Sequence, residues 1–294
     1  MSTFLQTLIT GLLLGGVYSL VSAGLALSFG VTNIVNFAHG DFVTIGMYLA
    51  VVLGQVGIAP LAAAPLVAGV VALLGLAIYA VAIRRVVDRP RSRGDDRHVA
   101  QLAVTFALGI MIENGLMLGF GPDQRVVGSS LDRVLRIGSI SVNLAQLVAF
   151  ALAVVVLAGL LIMLRRTLLG KVIAAVVDDQ EVAALVGVRT RRLLPATFAA
   201  GLALTALAGS VITAYYPVSP TAGVNFMTIA FVAIVLGGMR NVLGAVVGGP
   251  VIAIAQQFTA TYVSPEVQNV GVFAVFIAVL LVRPQGLFGA ARPA

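Results

Sequence analysis

The chain of 294 residues is 60% hydrophobic and 10% charged, with a mean hydropathy of +1.08 and a formal net charge of +7. A soluble domain is about a quarter charged, so the composition excludes an ordinary water-soluble fold and indicates an all-α polytopic membrane protein. With no cysteine there can be no disulfide, thiolate metal site or cysteine nucleophile, and the two histidines, His39 and His98, stand too far apart to suggest a metal site. The excess of Lys and Arg would point to nucleic acid in a soluble protein. Here the positive-inside rule accounts for it, and no nucleic-acid partner is expected.

Residues 4–30 form the first apolar run. The opening MSTFLQTLIT lacks a basic n-region and its run is too long for a cleaved signal, so a retained first span is expected. Gly11-x3-Gly15 is a small-x3-small pattern that allows close helix approach in lipid. A polar interruption follows at residues 31–48, VTNIVNFAHGDFVTIGMY, which packs Asn33, Asn36, His39, Gly40 and Asp41 into nine residues. Irregular backbone survives in a bilayer only where it is buried in protein or lines a water-filled cavity. The stretch therefore reads as a broken membrane helix beside a transport path, and the rest of the chain is arranged about it.

Further runs are expected at 41–56, 61–83, 99–120, 143–164, 193–215, 226–238, 242–262 and 267–282. They are separated by a basic loop at 84–98, a mixed polar loop at 121–142, a second basic loop at 165–194 and a short break at 239–241. Placing 84–98, 165–194, Arg240 and the C-terminus on one side collects 15 of the 18 Lys and Arg there. That side is predicted to be cytoplasmic, giving about nine crossings (range eight to ten), an external N-terminus and loop 121–142, and a cytoplasmic C-terminus. The whole chain, 1–294, reads as a single transmembrane domain.

Two stretches, 30–46 and 237–244, each join apolar runs through a glycine-flanked polar kink on the same predicted side. Paired interruptions of this kind are a pointer to a transport pathway in repeat-built transporters. Gly237 and Gly238 are thus path candidates together with the first kink. Asp41 and Glu113 are the only acids expected in or at the edge of spans. A charge at the bilayer centre costs roughly 2.5–3.5 kcal/mol on insertion scales, so such residues face a cavity or a partner. Asp41 is expected to cap a half-helix at 42–56, His39 to hydrogen-bond within the kink, and Glu113 with Asn114 to bond between helices.

The second basic loop carries VVDDQEVAALVGVRTRR. Asp178 and Asp179 suit a cap, Glu181 the first turn, and Val182, Leu185 and Val186 an i, i+3, i+4 stripe, with Gly187 as the stop. The pattern predicts an amphipathic helix of about nine residues through Ala183 and Ala184, too short to stand alone and so docked on a partner. No Gly-x4-Gly-Lys-Ser/Thr phosphate loop is present, and no catalytic set emerges, so the chain is not expected to be an enzyme.

The stretch GGVYSLVSAGLALSFGVTNIVNFAHGDFVTIGMYLA resembles the N-terminal region of LivH-type permease subunits of branched-chain amino-acid ABC importers. So do residues 105–114, DDQEVAALVGVRTRR, LGGMRNVLGAVVGGP and the C-terminal RPQGLFG, in the same order. The resemblance implies an inner-membrane permease working with a second homologous permease, two ATP-binding subunits that hold the ATP, and an extracytoplasmic amino-acid-binding protein. It implies no cofactor of the chain's own. Residues 178–187 look like the coupling helix that enters a cleft of the ATPase, although the spacing to Pro195 is shorter than in the EAA-type loop it resembles. A urea or short-amide importer permease is the alternative within this class, and a stand-alone channel or secondary transporter the alternative outside it.

Overall fold

The computed structural model describes residues 2–87, 96–127, 131, 133–138 and 140–289. The middle of the loop expected at 84–98, five positions of the loop at 121–142, and the last five residues lie outside the described residues. α1 spans Ser2–Thr32, α2 His39–Gln55 and α3 Pro60–Ile78, the last continuing through a π turn at Tyr79–Ile83 and a helical turn at Arg84–Val87. α4 is Asp96–Phe120, α5 Leu144–Arg166, α6 Leu168–Asp178 and α7 Gln180–Leu185. α8 is Thr190–Ile212, α9 Ala222–Gly237, α10 Val242–Tyr262 and α11 Gln268–Val282. Seven of these segments are long and apolar enough to cross a bilayer, whereas α2 and α9 have 17 and 16 residues. A span needs about 20 residues, so α2 and α9 fall short of a full crossing on their own, and the expected count of about nine crossings is not settled by the helices alone.

α1 is the hub. Of its apolar window 89% is buried, against 11% for α4 and 6% for the last span. Lipid tails are as apolar as Leu, so burial of this kind comes from close packing rather than from escape from water. Small residues supply it. A Cβ on Gly11 would lie 2.9 Å from Ile254 Cα and one on Gly15 2.5 Å from Pro250 Cα, so the small-x3-small pattern seats α10. Gly24 and Gly201 bring α1 and α8 together in the same way, each backbone occupying the space of the other's missing Cβ.

At one end, a hairpin that the sequence reading missed pairs β1, Val134–Ile137, with β2, Ile140–Asn143. It docks on the start of α1: Gln6 Nε2 donates to Ser141 O at 2.7 Å and Ser141 N donates to Gln6 Oε1 at 2.8 Å. The N-terminus and loop 121–142 therefore share an end, in line with the expected layout. At the other end α1 meets α6 and the break after α9. A Cβ on Gly30 would lie 3.4 Å from Val177 Cγ2 and 3.9 Å from Arg240 O.

The C-terminal segment straps this second end. Leu287 N donates to Leu236 O at 2.7 Å and Phe288 N to Gly237 O at 3.2 Å, which satisfies the last carbonyls of α9. Asn241 Nδ2 donates to Phe288 O at 3.3 Å while Asn241 Oδ1 caps α10 through Leu243 N and Gly244 N. Gly286 is buried with φ +81°, and a Cβ there would lie 2.7 Å from Val235 O. Only glycine fits so close an approach.

The two glycine-flanked kinks differ in build. The first is an irregular run over 33–38, opened by Asn33 in the left-handed region (φ 54°), where Asn33 N donates to Phe29 O at 2.8 Å and ends α1. The second is a tight turn at Gly238 (φ +104°) between helix ends that touch at Gly237 and Gly244. We expect Gly24→Leu to destabilise the detergent-solubilised protein by about 3 kcal/mol or more, since the added side chain meets backbone. Gly69→Ala, where nothing lies within 4 Å of the added Cβ, is expected to leave thermal unfolding unchanged.

Candidate functional site

α2 begins inside the bundle. Asn36 starts it: its Oδ1 accepts from Ala38 N at 3.1 Å and its carbonyl accepts from His39 N at 3.1 Å. Asp41 does not cap the helix as the sequence suggested. α2 begins two residues before it, and Asp41 N donates to Ala38 O, so the carboxylate lies in the first turn.

The His39 side chain bonds to other helices, and only its backbone N bonds within the kink. Its Nε2 lies 3.1 Å from Val21 O of α1 and 2.7 Å from Thr205 Oγ1 of α8. Thr205 Oγ1 donates its own hydrogen to Gly201 O at 2.9 Å. The network therefore assigns the His39 proton to Nε2. Val21 precedes the end of α1 by eleven residues, about 16 Å along a helix. The start of α2 thus lies deep in the bundle, and one fully buried imidazole ties α1, α2 and α8 together there.

Gly40 and Gly223 press α2 against α9. A Cβ on Gly40 would lie 2.6 Å from Met227 N. Asp41 sits where α2, α4 and α9 meet. A Cβ on Gly109 would approach Asp41 Oδ2 to 2.6 Å, and one on Gly223 would overlap Asp41 Oδ1. Gly223 is the second residue of α9, so the carboxylate faces the N-terminal turns of two short helices at once. The positive ends of both helix dipoles stabilise an anion there. Among the described residues no hydrogen-bond donor reaches the Asp41 carboxylate.

Glu113, one turn beyond Gly109 on α4, acts on Asp41 as a second negative charge. The expected bond between helices is not formed by Asn114, whose Nδ2 donates to Ile110 O of its own helix at 2.8 Å. Among the described residues four buried polar atoms, Asn36 Nδ2, His39 Nδ1, Thr44 Oγ1 and Tyr48 OH, have no partner. All belong to the kink and α2. Native structures leave few such groups, and each asks for an explanation. Asn33, by contrast, is exposed and works as a helix stop.

At the basic end, the loop expected at 165–194 is folded. α6 is amphipathic, burying Gly170, Ile173 and Val176, and Thr167 Oγ1 caps it by accepting from Gly170 N at 3.2 Å. Asp178 ends α6, so the cap of α7 is Asp179 alone. Asp179 Oδ1 accepts from Glu181 N at 2.8 Å and from Val182 N at 3.0 Å. α7 itself has six residues rather than about nine, followed by Gly187 at φ +93°. Ala183 is buried, whereas Val182, Leu185 and Val186 are 55%, 86% and 76% exposed and form one uncovered apolar patch.

Helices of this number and length, broken at depth around buried polar groups, define a polytopic membrane transport protein. The family model described as "Branched-chain amino acid transport system / permease component" matches residues 7–280, and the chain belongs to that family. It is 31% identical over 299 residues to the high-affinity branched-chain amino acid transport system permease protein LivH of Escherichia coli K12, covering 97% of this chain and 96% of that one. It is 29% identical to BraD of Pseudomonas aeruginosa, a permease protein of the same description, with the same coverage. A probable LivH from Methanocaldococcus jannaschii is 25% identical over 92% of this chain and 88% of its own. No solved structure matches.

Thr205, Gly109 and Gly223 were not singled out by the sequence reading. We expect Thr205→Val, which removes the hydroxyl beside His39 Nε2, to lower stability by about 1–3 kcal/mol. Thermal unfolding in detergent measures it, with Thr228→Val, half-buried on α9 and bonded only to Val224 O of its own helix, as the little-affected control.

Proposed function

We propose that the chain is the transmembrane permease subunit of an ABC importer, carrying branched-chain or other apolar amino acids across the inner membrane with ATP hydrolysed by partner subunits. The observation that carries this reading is α7. A capped six-residue helix with its apolar face uncovered at the basic end has no use in a stand-alone channel. It fits a cleft in a second protein. The basic residues gathered at that end put it in the cytoplasm, with the N-terminus outside and the C-terminus inside. The chain itself binds no cofactor, and ATP is held by two ATP-binding subunits. A second homologous permease and an extracytoplasmic amino-acid-binding protein complete the system.

In this scheme α7 moves with the ATP-binding subunits. α6, joined to it at Asp178 with only the capping residue between, carries the displacement toward the end of α1 and the strapped break after α9. A ligand or nucleotide shifts such an equilibrium only by its differential affinity for the two states. The half-helix α2, with Asn36, His39 and Asp41 at its start, stands beside the path. Substrate selection rests mainly with the binding protein, since a zwitterion must leave the path as readily as it enters.

Co-purification from the native host tests the assembly. Two ATP-binding chains and a second permease are expected with the tagged chain; the chain alone, or with copies of itself, would contradict the reading. We further expect Leu185→Asp, which puts a charge on the uncovered face, to abolish recovery of the ATP-binding subunits while the protein still inserts. Asp179→Ala is expected to weaken that recovery without abolishing it, by the ~1 kcal/mol of a lost cap.

A further inference from the structure

Three polar side chains on α2 lie on one stripe. Asp41, Thr44 and Tyr48 are spaced i, i+3, i+7, which places them on one helix face. The neighbours of α2 define where that face looks. Gly40 meets Gly223 and Met227 of α9, while Val43, Gly46 and Met47 meet Ala206 and Gly209 of α8. Asp41 meets Gly109 of α4, and the Tyr48 ring lies 4.5 Å, centroid to centroid, from Phe120 at the far end of α4. The stripe therefore runs along the side of α2 that α4 covers, with Thr44 turned toward the seam with α9.

Every group on this stripe is buried, with Thr44 0% and Tyr48 2% exposed, yet among the described residues neither hydroxyl has a hydrogen-bond partner and no donor reaches the Asp41 carboxylate. In a water-excluded interior each lone polar group costs about 1–3 kcal/mol. Apolar residues of the same shape would remove that cost, so the polarity has a use in another state. The cover over the stripe is a lightly packed wall. Only 11% of the apolar window of α4 is buried, and beside Asp41 it presents Gly109, with no side chain in the way.

On the permease reading, we infer that α4 is a movable wall and that the polar ends of the translocated amino acid pass along Asp41, Thr44 and Tyr48 when it parts from α2. Asp41 receives the ammonium group at the depth where α2 begins. Thr44 and Tyr48, one helical turn and two turns further on, offer hydroxyls that donate to the carboxylate or accept from the ammonium. Between passages α4 closes, the stripe goes dry, and its groups stand unpaired as the structure shows them.

The absence of native cysteine makes the test clean. Tyr48→Cys and Phe120→Cys are introduced together in the assembled transport system in membrane vesicles. They are bridged with a short bifunctional methanethiosulfonate, which a reductant removes, and ATP-driven uptake of radiolabelled leucine is followed. Bridging is expected to lower uptake about tenfold or more, as a locked gate does, and reduction to restore it. The control pair is Phe4→Cys and Phe258→Cys, whose rings lie 5.1 Å apart between α1 and α10. It is expected to transport equally well bridged or reduced.

A second measurement does not depend on the double variant working. Thr44→Cys is expected to react with a charged, membrane-impermeant thiol reagent in the turning-over system and to be protected by leucine. Leu20→Cys, buried in α1, is expected not to react. Undiminished uptake through the bridged Tyr48–Phe120 pair, or a Thr44→Cys as inert as Leu20→Cys at every stage of the cycle, overturns the inference and leaves the permease reading standing. Absence of leucine uptake by the unmodified system would overturn both.

Discussion

The fold depends on one constraint: a helix that starts inside a bilayer has no water to receive its first amide groups, so protein must. α2 meets it with the Asn36 turn, whose Oδ1 and carbonyl receive Ala38 N and His39 N, while the Asp41 carboxylate faces the positive helix end without accepting an amide. His39 supplies the third anchor, to a carbonyl of α1 and a hydroxyl of α8. The imidazole works only if α1 and α8 come within reach of each other, and the Gly24–Gly201 contact achieves that. α9 then closes on the same point through Gly223. The small residues of four helices are thus consequences of a single interrupted helix.

The second break is held by different means. The turn after α9 lies at a helix end, and the C-terminal segment supplies its missing donors through Leu287 N and Phe288 N. A stiff, strapped end next to α6 and a less regular junction at depth are suited to a lever and the site it acts on. The patch on α7 stands outside both, uncovered among the described residues.

The position of the helix break is legible in the sequence because polarity inside an apolar chain is rare. The kink at 31–48, the acid Asp41 and the stripe of α7 all followed from that contrast. Who partners whom was not legible: His39 and Thr205 are 166 positions apart, and no local pattern joins them. The cap of α7 was placed on Asp178 and Asp179 together because both have the right chemistry, and only the backbone shows that α6 runs through Asp178. α6 itself was hidden by Lys171 and the flanking arginines, although Ile173 and Val176 carry the helical spacing. Of the hairpin strands VLRI and ISVN only the second alternates apolar and polar residues, too short a signal to stand out in a charged loop.

The family membership makes the chain a transport component, and the proposal is that its buried polar junction serves the substrate as well as the fold. The most direct test is ATP-driven leucine accumulation per assembled complex in proteoliposomes, comparing the native chain with Asp41→Asn. The substitution keeps shape and volume and removes only the charge. The account predicts that the complex assembles and hydrolyses ATP while uptake falls about tenfold or more, the effect of losing at least ~1.4 kcal/mol from a transport step. Unchanged uptake by a fully assembled Asp41→Asn complex would contradict it and leave the junction a purely architectural feature.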